Sequence, residues 1–311
     1  MYELCQIDSI LHNSELSDIR DRNSLINAVT RFKPDIVIHM AAQSLVRNSY
    51  IDPVGTYETN VMGTVNLLEA CKKVDTIKSI IVVTTDKCYE NTEQIWPYRE
   101  FDRLGGFDPY SNSKACCELV VDAYRNSFIS FQEGVGLATA RAGNVIGGGD
   151  WSDDRLVPDF VRAAYENTKL VIRNPGAIRP WQHVLDPLHG YLLLAENLYE
   201  GLNLQLFSGG WNFGPNESSN ASVSDVINLL NRHIPRHVEW TSPLGNEPHE
   251  ANTLKLDATK ARKYLGWKSR LDLHAAIQET INWYNQSYSN PELSLKVTDE
   301  QIQSYMRIDH D

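Results

Sequence analysis

The chain has no run of about 18 consecutive apolar residues, so no membrane-spanning helix is expected. Its opening stretch, MYELCQIDSILHNSE, lacks the charged head and long apolar centre of a signal peptide. Basic residues are the minority: 29 Lys and Arg face 40 Asp and Glu, a net charge of −11. That excludes the basic footprint of a nucleic-acid binder, but local Arg side chains and backbone N–H groups can still hold an anionic ligand. Cysteine is sparse and odd in number: Cys5, Cys71, Cys88, Cys116 and Cys117, with no CxxC spacing. This predicts reduced, partly buried thiols in a cytoplasmic protein. Metal-ligand spacing is absent as well. His249-Glu250 does not extend to HExxH, and Cys116-Cys117 has no partners, so no metal is expected. Gly147-Gly148-Gly149 is followed by Asp150 rather than GK[ST]. We read it as a turn passing close to a ligand, not as a phosphate loop.

What is present is a regular alternation of helix and strand. DRNSLINAVTRFKP sets Leu25, Ile26, Val29 and Phe32 on one helical face, with Asp21 or Asn23 as N-cap. Apolar strands are expected at 35–42, 79–85 and 134–143, and helices at 56–74 and 109–128. Strands apolar along their whole length at βαβ spacing predict a parallel sheet covered on both faces. After about residue 150 the alternation loosens. RLVPDFVRAAYENT reads as a helix, SVSDVINLLNRHI as an amphipathic helix capped by Ser222, LKLDATKARKYLGW as strand, Asp cap and helix, and 271–288 as the closing helix. The expected fold class is α/β: a doubly wound parallel sheet over 1–173, rejoined by 184–214, with a smaller mixed lobe mainly over 174–311.

Tyr110 and Lys114 lie four apart on a predicted helix and share a face. A neighbouring ammonium lowers a phenol's pKa, so the pair is expected to take a proton from an alcohol while hydride leaves its carbon. Upstream, a strand ends in Thr84, Thr85, Asp86 and Lys87. Ligands of doubly wound folds sit just beyond such strand ends. Thr85 can offer a hydroxyl there, and Asp86 and Lys87 are too polar to extend the strand's core.

The run TTDKCY with YSNSK resembles the extended short-chain dehydrogenase/reductase family and, within it, the sugar-nucleotide 4,6-dehydratases. TTDKCY, GNVIGGGDW and RPWQHVLDPLHGY together resemble most the branch acting on CDP-glucose. The resemblance implies a Rossmann-like fold, NAD as a bound cofactor, and a role in deoxysugar and O-antigen-type polysaccharide synthesis. It implies Tyr110 with Lys114 and Thr85 for oxidation at the sugar C4. Asp86 is then the acid for the departing C6 hydroxyl, which requires a raised pKa. Lys87 is the base at C5, which requires desolvation of its ammonium. Cofactor contacts are implied for Asp18 and Ile19 (adenosine side), Ala41, Ala42 and Gln43 (the loop passing the cofactor), Asn60, Thr84, Tyr110 and Lys114. Substrate contacts are implied for Asn144, Arg155, Arg179 and His249, with His183 and His249 otherwise structural. Helices 56–74 and 109–128 are implied to pair in a homodimer.

One part of that pattern is not found. No GxxGxxG or GxGxxG precedes the first helix. By the resemblance, about 50 residues are missing, more than one βαβ unit of about 30. The sheet is therefore expected without its first strands and with an exposed edge, and NAD binding by this chain is expected to be weak or absent. Two other readings stay open: a nucleotide-sugar 4-epimerase, which by the resemblance would lack the Asp-Lys pair, and a non-catalytic nucleotide-sugar-binding remnant.

Overall fold

The segments IVIH, SIIVV, GLATARA and GGWNF are short, mostly apolar runs of strand length. They become β1 (Ile36–His39), β2 (Ser79–Val83), β3 (Gly136–Ala142) and β4 (Gly209–Phe213). The computed structural model describes residues 1–129, 134–242 and 252–308. All four strands are parallel, in the order β1-β2-β3-β4, with Val37 opposite Ile80, Ile81 opposite Ala138 and Ala140 opposite Trp211.

Alternation along β2 divides the core in two. Ile80 and Val82 face α1 (Arg22–Phe32), α2 (Gly63–Cys71) and α3 (Pro109–Ser127), where they meet Val29, Leu67, Leu68 and Val121. Ile81 points the other way, toward a cluster holding Leu194, Leu198, Trp211, Phe213 and Trp267. Each fully buried Ile or Leu contributes about 1.5–3 kcal/mol. Both faces of the central strands are covered, as the continuous apolar runs require. β1 is different: it pairs only with β2 among the described residues, and Ile36 and Ile38 are exposed.

The smaller lobe gathers α4 (Leu156–Glu166), α6 (Val223–His233), α7 (Leu273–Ser287) and α8 (Ser294–Met306) around Phe160, Val161, Leu230, Ile281 and Trp283. Between α4 and α6 in the chain, α5 (Leu185–Glu200) returns to the sheet and covers its second face. The carboxyl ends of β2 and β3 open beneath this lobe into a cleft of about 660 Å³. Among the described residues, no helix is long and apolar enough to cross a membrane.

Local chemistry sets the helix starts. Asp21 caps α1 through Asn23 and Ser24 N–H, Asp108 caps α3 through Ser111 N–H, and Ser222 caps α6 through Asp225 N–H. Four expectations change. β1 stops at His39, so Met40–Ser44 leaves the sheet as a loop. The helix expected over 56–74 is interrupted: Pro53–Tyr57 is α-helical, Glu58–Met62 forms a π turn, and α2 follows. The strand expected after Leu254 shrinks to a single bridge between Tyr98 and Leu256, and Asp257 caps the next helix from outside by accepting Thr259 N–H at 2.7 Å. The 271–288 helix is not the last, because α8 follows it. Its sequence is mostly polar and buries only Ser294, Val297 and Tyr305, which left little periodicity to read.

Candidate active site

Where β2 ends, the chain turns sharply. Thr84 N–H still bonds Ala140 O of β3 at 2.9 Å, and Asp86–Cys88 then forms a 3₁₀ turn with Thr85 as its N-cap. Thr84, Thr85 and Asp86 are all buried, and Lys87 is half-buried. Thr85 Oγ1 donates to Asp86 Oδ1 at 3.0 Å. Asp86 Oδ2 is buried without a partner, against Gly143, where an added Cβ would lie 1.9 Å away. Only a glycine fits beside that carboxyl. Burial raises the Asp86 pKa, against opposing pulls from Lys87, Thr85 and Arg179. The acid role required such a raised value.

α3 brings the second half. Tyr110 sits in its first turn and Lys114 one turn on. Lys114 Nζ donates to Val83 O at 3.1 Å and is buried, which lowers its pKa. The expectation that Lys114 lowers the Tyr110 phenol is reversed here. Burial pushes Tyr110 up to about 12, with Thr85 and Arg155 opposing, and Lys114 is turned toward the backbone of β2. One further turn along, Glu118 meets Arg141 of β3 in an ion pair of 2.7 Å, both side chains buried. Glu118 also accepts from Thr84 and Thr139, while Arg141 donates to the Tyr89 hydroxyl. Sequence reading passed over this pair. Its signal was an Arg inside the apolar strand GLATARA.

Thr84, Thr85, Asp86, Lys87, Tyr110, Asn144, Arg155 and Arg179 all line the one cleft. Asn144 is left-handed (φ 42°), and its Oδ1 is buried without a partner. Arg155 bridges two walls, donating to Asp150 Oδ2 at 2.8 Å and Ser44 Oγ at 2.9 Å. Arg179 is buried and donates to Ile178 O and Asn252 O, close enough for its charge to act on Asp86. Arg47 and Arg173, both missed from sequence, share Asp154 across the mouth at 3.0 and 3.6 Å. His249 lies outside the described residues. His183 is buried, with its pKa lowered to about 4 by burial. Gly147 lines the cleft, whereas an added Cβ on Gly148 would meet the Trp283 ring at 2.1 Å, so the middle glycine serves packing.

The residues expected to meet NAD divide into two groups. Tyr110 and Thr84 line the cleft at the end of β2, whereas Lys114 is held to Val83 O. Ala41, Ala42 and Gln43 form the loop beyond β1. Asn60, inside the π turn, holds that loop: its Oδ1 accepts Gln43 N–H at 2.8 Å, and its Nδ2 donates to Gln43 O and Ser113 Oγ. Both Asn60 donors are thus used within the protein, so it positions the loop. Asp18 and Ile19 lie on the loop ahead of α1, where Arg20 holds the Asp18 carboxyl down at about 2. Tyr110 and Thr84 are open to a ligand in the cleft. No GxGxxG or GxxGxxG turn lies ahead of α1 among the described residues to offer its N–H groups to a pyrophosphate. Nor do the described residues place three or more His, Cys, Asp or Glu to hold a metal.

The family model described as GDP-mannose 4,6 dehydratase matches residues 10–280. A CDP-glucose 4,6-dehydratase of Salmonella typhimurium is 47% identical over 98% of this chain and 85% of its own length. A dTDP-glucose 4,6-dehydratase of Escherichia coli is 27% identical over 89% of this chain and 80% of its own. Among solved structures, a Bacillus anthracis dTDP-glucose 4,6-dehydratase in complex with NAD superposes with a TM-score of 0.73 at 24% identity, covering 92% of this chain and 85% of that one. A Bacillus cereus UDP-glucuronic acid 4-epimerase in complex with UDP-glucuronic acid and NAD gives 0.77 at 22%, covering 91% and 85%.

Proposed function

The chain belongs to the GDP-mannose 4,6-dehydratase family, a branch of the extended short-chain dehydrogenases/reductases, and from that premise we propose that it dehydrates CDP-glucose to CDP-4-dehydro-6-deoxyglucose. Its reaction is a sugar-nucleotide 4,6-dehydration, and its cofactor is NAD. The observation that carries the residue assignments is the meeting of Thr85, Asp86, Lys87 and Tyr110 on one wall of one cleft.

When bound, NAD supplies the hydride acceptor and donor that leave the cycle redox-neutral. The protein's own residues handle the protons. In its phenolate form, which burial disfavours and Thr85 and Arg155 favour, Tyr110 takes the proton of the C4 hydroxyl, and Thr85 holds that oxygen. The C4 ketone acidifies C5–H. Lys87 can take the C5 proton only as its neutral amine, and the C6–O bond breaks as Asp86 protonates the departing hydroxyl, which leaves as water. Asp86 suits the acid role because its site disfavours the carboxylate. Asn144, Arg155 and Arg179 hold the nucleotide diphosphate, with Arg as its planar partner. His249 belongs to the same substrate lobe by sequence. Asp18 and Ile19 serve the adenosine side, and the product feeds deoxysugar synthesis for surface polysaccharide. Five free thiols suit a cytoplasmic home.

The purified chain, incubated with CDP-glucose and excess NAD, is expected to yield a product lighter by one water, read by mass spectrometry. Appearance of the C4 epimer instead would favour the epimerase reading. Binding of CDP-glucose without any product would favour the non-catalytic one. Calorimetry with NAD alone is expected to give binding weaker than micromolar, in keeping with the lack of a GxGxxG or GxxGxxG turn ahead of α1 among the described residues. Micromolar affinity would overturn that expectation.

A further inference from the structure

One polar group in the cleft has no part in the steps above. Tyr191 stands in the second turn of α5, past Pro187 and Leu188, and all three line the cleft together with Asp86 and Tyr110. Tyr191 is 4% exposed. Its ring is held edge-on by Phe213 (centroids 5.4 Å, 74°), and Phe213 is held in turn by Trp267 (5.2 Å, 85°). In a close-packed core such a ring does not swing aside.

A buried phenol normally finds a hydrogen-bond partner. Among the described residues the Tyr191 hydroxyl has none, and neither has Asp86 Oδ2. A phenol hydroxyl without a partner and a buried carboxyl oxygen without one, both lining the cleft, mark a place where a ligand supplies them. Burial and the nearby Asp86 and Tyr110 raise the Tyr191 pKa, so it is a hydrogen-bond donor at any working pH.

Resting on the dehydratase reading, we propose that Tyr191 contacts the substrate, donating its hydroxyl proton in a hydrogen bond to the sugar C6 oxygen and so holding that oxygen against Asp86. A hydroxyl oxygen has two lone pairs. It can accept from the Tyr191 phenol and from the protonated Asp86 carboxyl together. When the C6–O bond breaks, the proton transferred is that of Asp86, and Tyr191 keeps its own. The side chain therefore selects for a sugar with an oxygen at C6 and aims it. Nothing in the sequence marked this role, because LHGYLLLAE reads as a core helix.

The test compares two ligands by calorimetry on the 311-residue chain: CDP-glucose, and CDP-xylose, which has no C6. The variant is Tyr191→Phe, which keeps the ring on Phe213. Tyr191→Phe is expected to weaken CDP-glucose binding about three- to tenfold, the range of one neutral hydrogen bond, and to leave CDP-xylose unchanged. Equal losses for both ligands, or no loss for either, would overturn the assignment of Tyr191 and leave the dehydratase reading standing. If the unaltered chain does not bind CDP-glucose at all, the dehydratase reading fails and takes this proposal with it.

Discussion

Asp86 and Tyr110 face the same cleft, and burial raises the pKa of both. For Asp86 this has two opposite consequences. Asp86→Asn removes the acid and is expected to lower dehydration about 10²- to 10⁴-fold, measured as product formed per enzyme. The same change is expected to stabilise the fold at pH 8. A carboxyl whose folded pKa is raised contributes its stability below the unfolded value, and that contribution is lost as pH rises through the folded value. The gain of Asp86→Asn in melting temperature should therefore shrink as pH falls toward 4. A gain that grew with acidity would contradict the buried, unpartnered Oδ2. The pairs Asp86-Lys87 and Tyr110-Lys114 were legible because polar residues stood at a strand end and at helical spacing. The upward direction of the Tyr110 shift was not, since burial depends on the lobe folded over it. Tyr191 was invisible for the same reason: only the folded molecule tells a core phenol from one at a cleft wall.

α3 carries Tyr110, Lys114 and Glu118 at successive turns, so one element serves both the chemistry and its support. Glu118 joins the end of β2, through Thr84, to Arg141 of β3. Glu118→Ala would leave Arg141 buried without its counter-charge, and is expected to cost about 3–5 kcal/mol in denaturant unfolding. A cost below about 1 kcal/mol would mean that water reaches the guanidinium. Helices with clear caps and one apolar stripe, such as α1 and α6, could be located from sequence nearly to the residue. α8 could not, because few of its side chains are buried.

Two features of the whole molecule lead to measurements. Ile51, Val54, Met62 and Leu119 are exposed on neighbouring helical segments, among them α3. If helices 56–74 and 109–128 pair in a homodimer, as the family resemblance implies, Leu119→Glu is expected to shift the sedimenting species toward monomer. His39 and His183 are buried in separate parts of the fold, and burial holds each at about 4, with the Lys114 charge adding to the effect at His39. A His with a depressed folded pKa contributes stability above the unfolded value of about 6.5 and loses it on the way down. Global stability should fall between about pH 6.5 and 4, by on the order of 3 kcal/mol per residue, and His39→Gln should flatten that slope.

The π turn at Glu58–Met62 sets a limit on the length of this chain. Gly63 N–H reaches back to Glu58 O, so the turn holds a residue more than an α-helical turn would. Each residue of an α-helix advances the angle by about 100°. That extra step lets Asn60 look toward Gln43 and Ser113 while Leu67, Leu68 and Cys71, on the same rod, look into the core of the sheet. Deleting Val61 would restore an ordinary phase and force a choice between the two orientations. At this point the helix should tolerate many substitutions but no change in residue count.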